Sequence, residues 1–158
     1  MKWICSEGGP LLLLEKKFLH LWGGTWSNDY DRACRTTEYA ELIGIGDVSG
    51  LVIGDEPYQT SLYHEHDFRG LVSWQWADSE SAIILALASI DSDKLQFEKE
   101  VKWDISSGEL ILFDSAAAGR EATGLEFTIP HGSYHIRTFI YRPDVSMSIV
   151  IHEFKMSD

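Results

Sequence analysis

Hydrophobic and polar positions alternate with period two over much of the chain. Phe97, Val101, Trp103 and Ile105 oppose Glu98, Glu100, Lys102 and Asp104. Leu125, Phe127 and Ile129 interleave with Glu126 and Thr128, and Val72, Trp74 and Trp76 with Ser73 and Gln75. Successive side chains of a strand point to opposite faces, so this spacing predicts strands with one face on a core and the other in water. Leu110 to Phe113, Tyr134 to Tyr141 and Met147 to Phe154 are rich in β-branched and aromatic residues bounded by Gly, Pro, Asp or Ser, and predict further strands. The unbroken run Ile149-Val150-Ile151 predicts cover on both faces. Leu51 to Ile53 and Pro57 to Leu62 complete the set, joined across Gly54-Asp55-Glu56. Pro57 has no N–H to give to a ladder, which confines the second of these to an edge or to starting at Pro57.

Helical spacing is rarer. Ile83, Ile84, Leu87 and Ile90 form one stripe, Asp78 or Ser79 can accept from the free N–H groups of a first turn, and Glu80 suits its positive end. These predict a helix over about 79–89. Glu15 to Trp22 and Thr37 to Leu42 are shorter helical candidates, the second short enough to be only a turn. The expected fold is mostly β (β-rich α+β): one domain over 1–158, an antiparallel β-sandwich of about eight strands with one flanking helix and one or two short N-terminal helices.

Composition adds a sign to this scaffold. The 158 residues carry 25 acidic against 13 basic side chains, a formal charge of −12. From Asp29 to Asp67 nine acidic residues stand against two arginines, a net of seven negative charges. A field of that sign concentrates cationic ligands or basic protein surfaces and repels phosphate, which argues against a nucleic-acid partner. Leu11 to Leu14, followed at once by Glu15, Lys16 and Lys17, is too short for a signal core, and Ala82 to Ala88 is too short to span a bilayer. A cytoplasmic protein without membrane attachment is expected. Cys5 and Cys34 are too few for a disulfide scaffold and are expected to pack as small reduced apolar side chains.

Candidate chemistry is sparse. His64-Glu65-His66-Asp67 offers two imidazoles and two carboxylates to a metal, but no third soft ligand stands at a recognisable spacing, so a polar hairpin loop is the simpler reading. His131 and His135 flank turn residues and read as surface histidines, and His152 reads as structural within a strand. Cys34 lies between Arg32 and Arg35, which would activate an exposed thiol; a buried, inert thiol is expected. Gly44 to Gly50 misses the dinucleotide fingerprint by one residue and places Asp47 where phosphate would sit, so it reads as a turn. Asp29/Asp31 and Asp55/Glu56 are paired carboxylates, yet adjacent acids on an extended backbone diverge, which favours solvated turns over acid–base work. Trp22, Trp26, Trp74, Trp76 and Trp103 read mostly as core. Trp26, in Gly23-Gly24-Thr25-Trp26-Ser27-Asn28, has no periodic partners and is a candidate exposed anchor.

The order of short motifs is more telling than any one of them. Trp3-Ile4-Cys5 with Glu7-Gly8-Gly9-Pro10, then Trp22-Gly23-Gly24, Asp29-Tyr30-Asp31-Arg32-Ala33-Cys34, Leu51 to Pro57, Gly70-Leu71-Val72, Leu112-Phe113-Asp114-Ser115, and Pro130, Gly132 and Tyr134 follow one another along nearly the whole chain. This set resembles the immunity protein 21 family of bacterial polymorphic toxin systems. The resemblance implies a small cytoplasmic β-rich protein, without cofactor, metal or catalytic residue, that binds a toxin domain encoded by an adjacent gene and protects the cell by association. An acidic inhibitor suits a basic toxin such as a nuclease, because opposed charge accelerates encounter. On that reading Asp55, Glu56, Glu65 and Asp67 supply rate and register, while Tyr58 and Trp26 supply contact area. The chain itself is expected to be a monomer or homodimer. The alternatives are a carbohydrate or small-ligand binding sandwich, whose tryptophans stack on sugar faces, and a hydrolase using the paired carboxylates or the His64/His66 cluster.

Overall fold

The computed structural model describes residues 1–54, 58–65 and 68–157. Among the described residues ten strands form two antiparallel sheets: β1 Leu11–Glu15, β2 Ala40–Ile45, β3 Val48–Ile53, β4 Gln59–Glu65, β5 Phe68–Trp76, β6 Lys99–Ile105, β7 Glu109–Asp114, β8 Gly124–Thr128, β9 Gly132–Tyr141 and β10 Ser148–Met156. The first sheet runs β2-β3-β1-β7-β8 and the second β4-β5-β10-β9-β6. The expected β-rich sandwich is what forms, with two strands more than the pattern predicts.

The Leu11 to Leu14 run explains its own composition. Its strand is the middle of the first sheet, paired on one side with β3 (Leu12 opposite Val52) and on the other with β7 (Leu12 opposite Phe113). Leu11 and Leu13 point into the core between the sheets, with Leu51, Leu71, Leu112, Trp103 and Ile136. Leu12 and Leu14 point the other way, into an outer layer built with Trp22, Ala33, Ile45, Val52 and Phe113. The second sheet is covered in the same manner: Val72, Phe139, Ile149 and Ile151 face Ile83 and Leu87. Both sheets are therefore coated twice, and a strand so placed has no use for alternation.

The helix predicted at 79–89 is α2, Glu80–Ala88; the Ser79 hydroxyl accepts from the Ala82 N–H at 3.2 Å, and Ile83 and Leu87 are its buried residues. Because α2 lies on the second sheet, β5 is buried on both faces through Ser73 instead of having a wet one. Ser73 meets this by sharing a 2.8 Å hydrogen bond with Thr60. The candidate at Glu15 to Trp22 is a 3₁₀ helix, Lys16–Leu21, which starts only after β1 has ended. Thr37 to Leu42 is not helical: from Ala40 onward it is β2, paired with β3 across a turn in which Gly46 has φ 61°. Ladder pairing and burial of Ala40 and Ile45 override local helical spacing there. A six-residue helix, α1 Asp29–Cys34, forms where no periodicity announced it, since only Ala33 points inward.

β3 and the following β4 belong to different sheets, so the segment between them is a crossover. β4 is an edge strand, as expected for a strand at Pro57; Pro57 itself lies outside the described residues. That edge is partly covered by the N-terminal segment, where Ile4 and Thr60 exchange backbone hydrogen bonds of 2.9 and 2.8 Å. At the opposite flank β2 and β6 lie side by side.

Glu15 holds the second crossover. Its carboxylate is buried and accepts from the Ser106 and Ser107 N–H groups (3.0 and 2.6 Å) and from both hydroxyls. Ser106 and Ser107 carry the chain from β6 in one sheet to β7 in the other. Burial alone would push the carboxyl pKa up, but these donors outweigh it and hold the value below the ordinary one. Glu15→Ala should therefore cost about 2–4 kcal/mol in urea unfolding at neutral pH. Since the folded pKa is the lower one, this contribution is present above the ordinary carboxylate range and fades as pH falls through the folded value. The gap between wild type and variant should then narrow in acid.

Candidate functional site

The residues singled out as partner-facing fall in three places. Trp26 is 84% exposed at the end of a 3₁₀ turn, Gly24–Trp26, on the outer layer of the first sheet. The turn is docked, not loose. The Thr25 N–H donates to the Ala116 carbonyl at 3.1 Å, and Gly24, at φ 57°, sits where a Cβ would come within 2.5 Å of that same oxygen. Asp29 is committed to structure, accepting from the Gly23 N–H (2.9 Å) and pairing with Arg32 (3.1 Å), while Asp31 is exposed.

Tyr58 and Glu65 lie on the second sheet, at opposite ends of edge strand β4, roughly 23 Å apart at strand rise. The Tyr58 hydroxyl accepts from the Gln75 amide at 3.3 Å. Glu65 is exposed and accepts from the Tyr63 hydroxyl at 3.1 Å; burial first, and then this carboxylate, push the Tyr63 phenol above its usual value. Asp55, Glu56 and Asp67 lie outside the described residues. Of the described three, Tyr58 and Glu65 share an edge, and Trp26 stands on the layer beyond the other sheet.

Beside Glu65 opens a cleft of about 660 Å³, lined among others by Tyr63, Arg69, Asp91, Asp93, Glu153 and Lys155. Its charges answer one another. Arg137 donates twice to Glu153 (2.9 and 2.5 Å), Ser92 donates to the other Glu153 oxygen (2.6 Å), and Asp93 receives Lys155 at 2.6 Å and Arg137 at 3.4 Å. The Lys155 ammonium, then Arg137, hold the Asp93 carboxyl below its ordinary value. These pairs tie β9 and β10 to the segment after α2.

The histidines separate. His64 Nε2 lies 3.0 Å from an Arg69 guanidinium nitrogen, and His66 is outside the described residues. No group of three or more His, Cys, Asp or Glu with metal-binding geometry occurs among the described residues. His131 is exposed and His135 meets Glu100 at 2.9 Å near the surface. His152 is fully buried on β10, 3.0 Å from the Thr138 hydroxyl, and burial pushes its pKa down to about 4.

Two expectations need correction. Cys5 and Cys34 are both exposed. In α1 the one inward position belongs to Ala33, which turns Cys34 outward beside the Tyr30 hydroxyl; this contact and burial raise the Tyr30 pKa. Arg32 is directed to Asp29 and the Gly44 carbonyl. The second correction concerns tryptophan. Trp22 and Trp103 are core and Trp74 is half-buried against Trp3, but Trp26 stands on the surface and Trp76 is 46% exposed at the end of β5. Near it stands Val145, 97% exposed. An apolar residue inside the turn sequence Pro143-Asp144-Val145-Ser146, between two strands, was the available signal.

The chain is thus an acidic two-sheet sandwich in which the buried Glu15 and Glu153 carboxylates have partners and several large apolar side chains stand at the surface. The chain belongs to the immunity protein 21 family, whose family model matches residues 2–146. Membership gives it an immunity role in general and points to a non-enzymatic one. No curated protein and no solved structure matches the chain. Among the described residues no helix is long and apolar enough to cross a membrane.

His152 supplies a pH test of the fold beneath this surface. A histidine kept neutral by burial binds a proton more readily when unfolded, so stability should fall as pH drops from about 6.5 toward 4, by up to about 3 kcal/mol. Denaturant unfolding across that window should show the slope in the wild type, and His152→Asn should flatten it.

Proposed function

We propose that this chain neutralises a cognate polymorphic toxin domain by stoichiometric association in the cytoplasm, the toxin being encoded by the neighbouring gene. The family match over residues 2–146 carries the reading. The formal charge of −12 supports a basic partner, such as a nuclease whose own surface must hold phosphate. Glu65, with Asp55, Glu56 and Asp67 near it in the sequence, steers the encounter, and Tyr58 and Trp26 offer contact area. Long-range attraction between unlike net charges acts before contact, so its signature is in the association rate and its salt dependence.

Co-expression with the neighbouring toxin protein should restore growth and yield a stable complex, and rescue should survive replacement of Cys34, His64 and His66. A catalytic detoxifier would lose rescue instead. Replacing Asp55, Glu56, Glu65 and Asp67 together by Asn or Gln should slow association about 10- to 100-fold at low salt, with the difference closing at high salt. Unchanged rates and an unchanged salt slope would remove these carboxylates from the interface.

A further inference from the structure

We propose that the end of the second sheet bearing Tyr58, Trp76, Arg142 and Val145 is the surface that anchors the toxin domain, an inference that rests on the inhibitory reading above. The β9–β10 connection consists of five consecutive exposed residues, Arg142 to Ser146, followed by the buried Met147. Val145 is presented there at 97% exposure, and Trp76, at 46%, lies against the connection through a 3.2 Å hydrogen bond from its indole N–H to the Val145 carbonyl. The Arg142 guanidinium covers the Trp76 ring at 5.2 Å.

These side chains are held before any partner arrives. Arg142 Nε donates to the Ser148 hydroxyl at 2.9 Å, Ser148 donates to the Gln75 side-chain carbonyl, and the Gln75 amide donates to Tyr58. Asp144 braces the turn by accepting from the Ser146 N–H and hydroxyl at 2.7 and 2.6 Å. The β5–β10 register also shifts here, with Ser148 opposite Trp76 but Ile149 opposite Trp74. Such an irregularity turns a side chain away from the regular ladder, and it occurs beside the exposed indole. Trp, Tyr and Arg are the side chains that dominate binding energy at interfaces, and prior ordering spares the entropy of fixing them on contact. The other strongly exposed aliphatic side chain, Leu85 on α2 at 73%, has no comparable polar frame.

The surface also states what it receives. Val145 and the indole edge require an apolar depression, and the remaining Arg142 N–H groups require a carbonyl or carboxylate acceptor. Asp78, two residues beyond Trp76, and Asp144 leave exposed carboxylates against the single cation Arg142, which suits a partner whose rim is basic.

The test uses the full chain and the toxin protein encoded beside it. Val145→Asp, at a nearly fully exposed position, should keep the thermal midpoint while weakening toxin binding about 30-fold or more, and Trp76→Ala should do likewise. Leu85→Asp, at the exposed aliphatic position on α2 that lacks this polar frame, should stay within about threefold of wild type. Hydrogen exchange of the unmutated complex should show new protection over 74–78 and 142–148. Wild-type affinity in Val145→Asp, an equal loss in Leu85→Asp, protection confined to other segments, or an effect only on self-association of the free chain would each overturn this placement while leaving the inhibitory reading intact. A wild-type chain that does not bind the toxin protein would overturn that reading, and this one with it.

Discussion

Everything in this fold depends on a five-residue strand that is buried on both faces. β1 must be flanked by two strands to satisfy its backbone, must have a second sheet above Leu11 and Leu13, and must have a further layer below Leu12 and Leu14. No polar face is left to it. The short helical turns after β1 and before β2 exist to cover that lower side, which is why Trp22 and Ala33 are buried in segments with little regular structure of their own. The second sheet repeats the solution with α2 lying over β5 and β10.

Charge is handled differently inside and out. Where an ionisable group is buried it has been given its own partners: Glu15 receives four donors from two adjacent serines, and Glu153 takes Arg137 and Ser92. His152 is instead kept neutral. The surplus of acid is left at the surface, where it costs little to solvate and acts at a distance. That division fits the immunity role its family carries.

β6 and β8 are legible because each keeps one wet face and alternates as read, whereas β5, also period-two in sequence, is covered on both faces through Ser73. The α2 helix was legible from its cap and stripe. What escaped reading were segments whose surroundings come from elsewhere in the chain. β1 has no alternation because both faces are covered, β2 resembles a short helix until β3 pairs with it, and α1 is too brief to show a stripe. The site divides similarly. The lack of periodic partners around Trp26 hints at its exposure without deciding it, whereas Trp76 falls in phase with core residues and yet is exposed.

Alone, the amino-acid order determined a β-rich sandwich, its electronegative character, the α2 helix and the family, since each is written in local spacing, counts or ordered motifs. Tertiary structure decided which strands share a sheet, that β3 and β4 part company, that both cysteines face outward, and that Trp76 and Val145 meet on one surface. The physical reason is range. Periodicity reports which face of a segment is apolar, but only contacts between residues dozens of positions apart decide what covers that face and what is left uncovered.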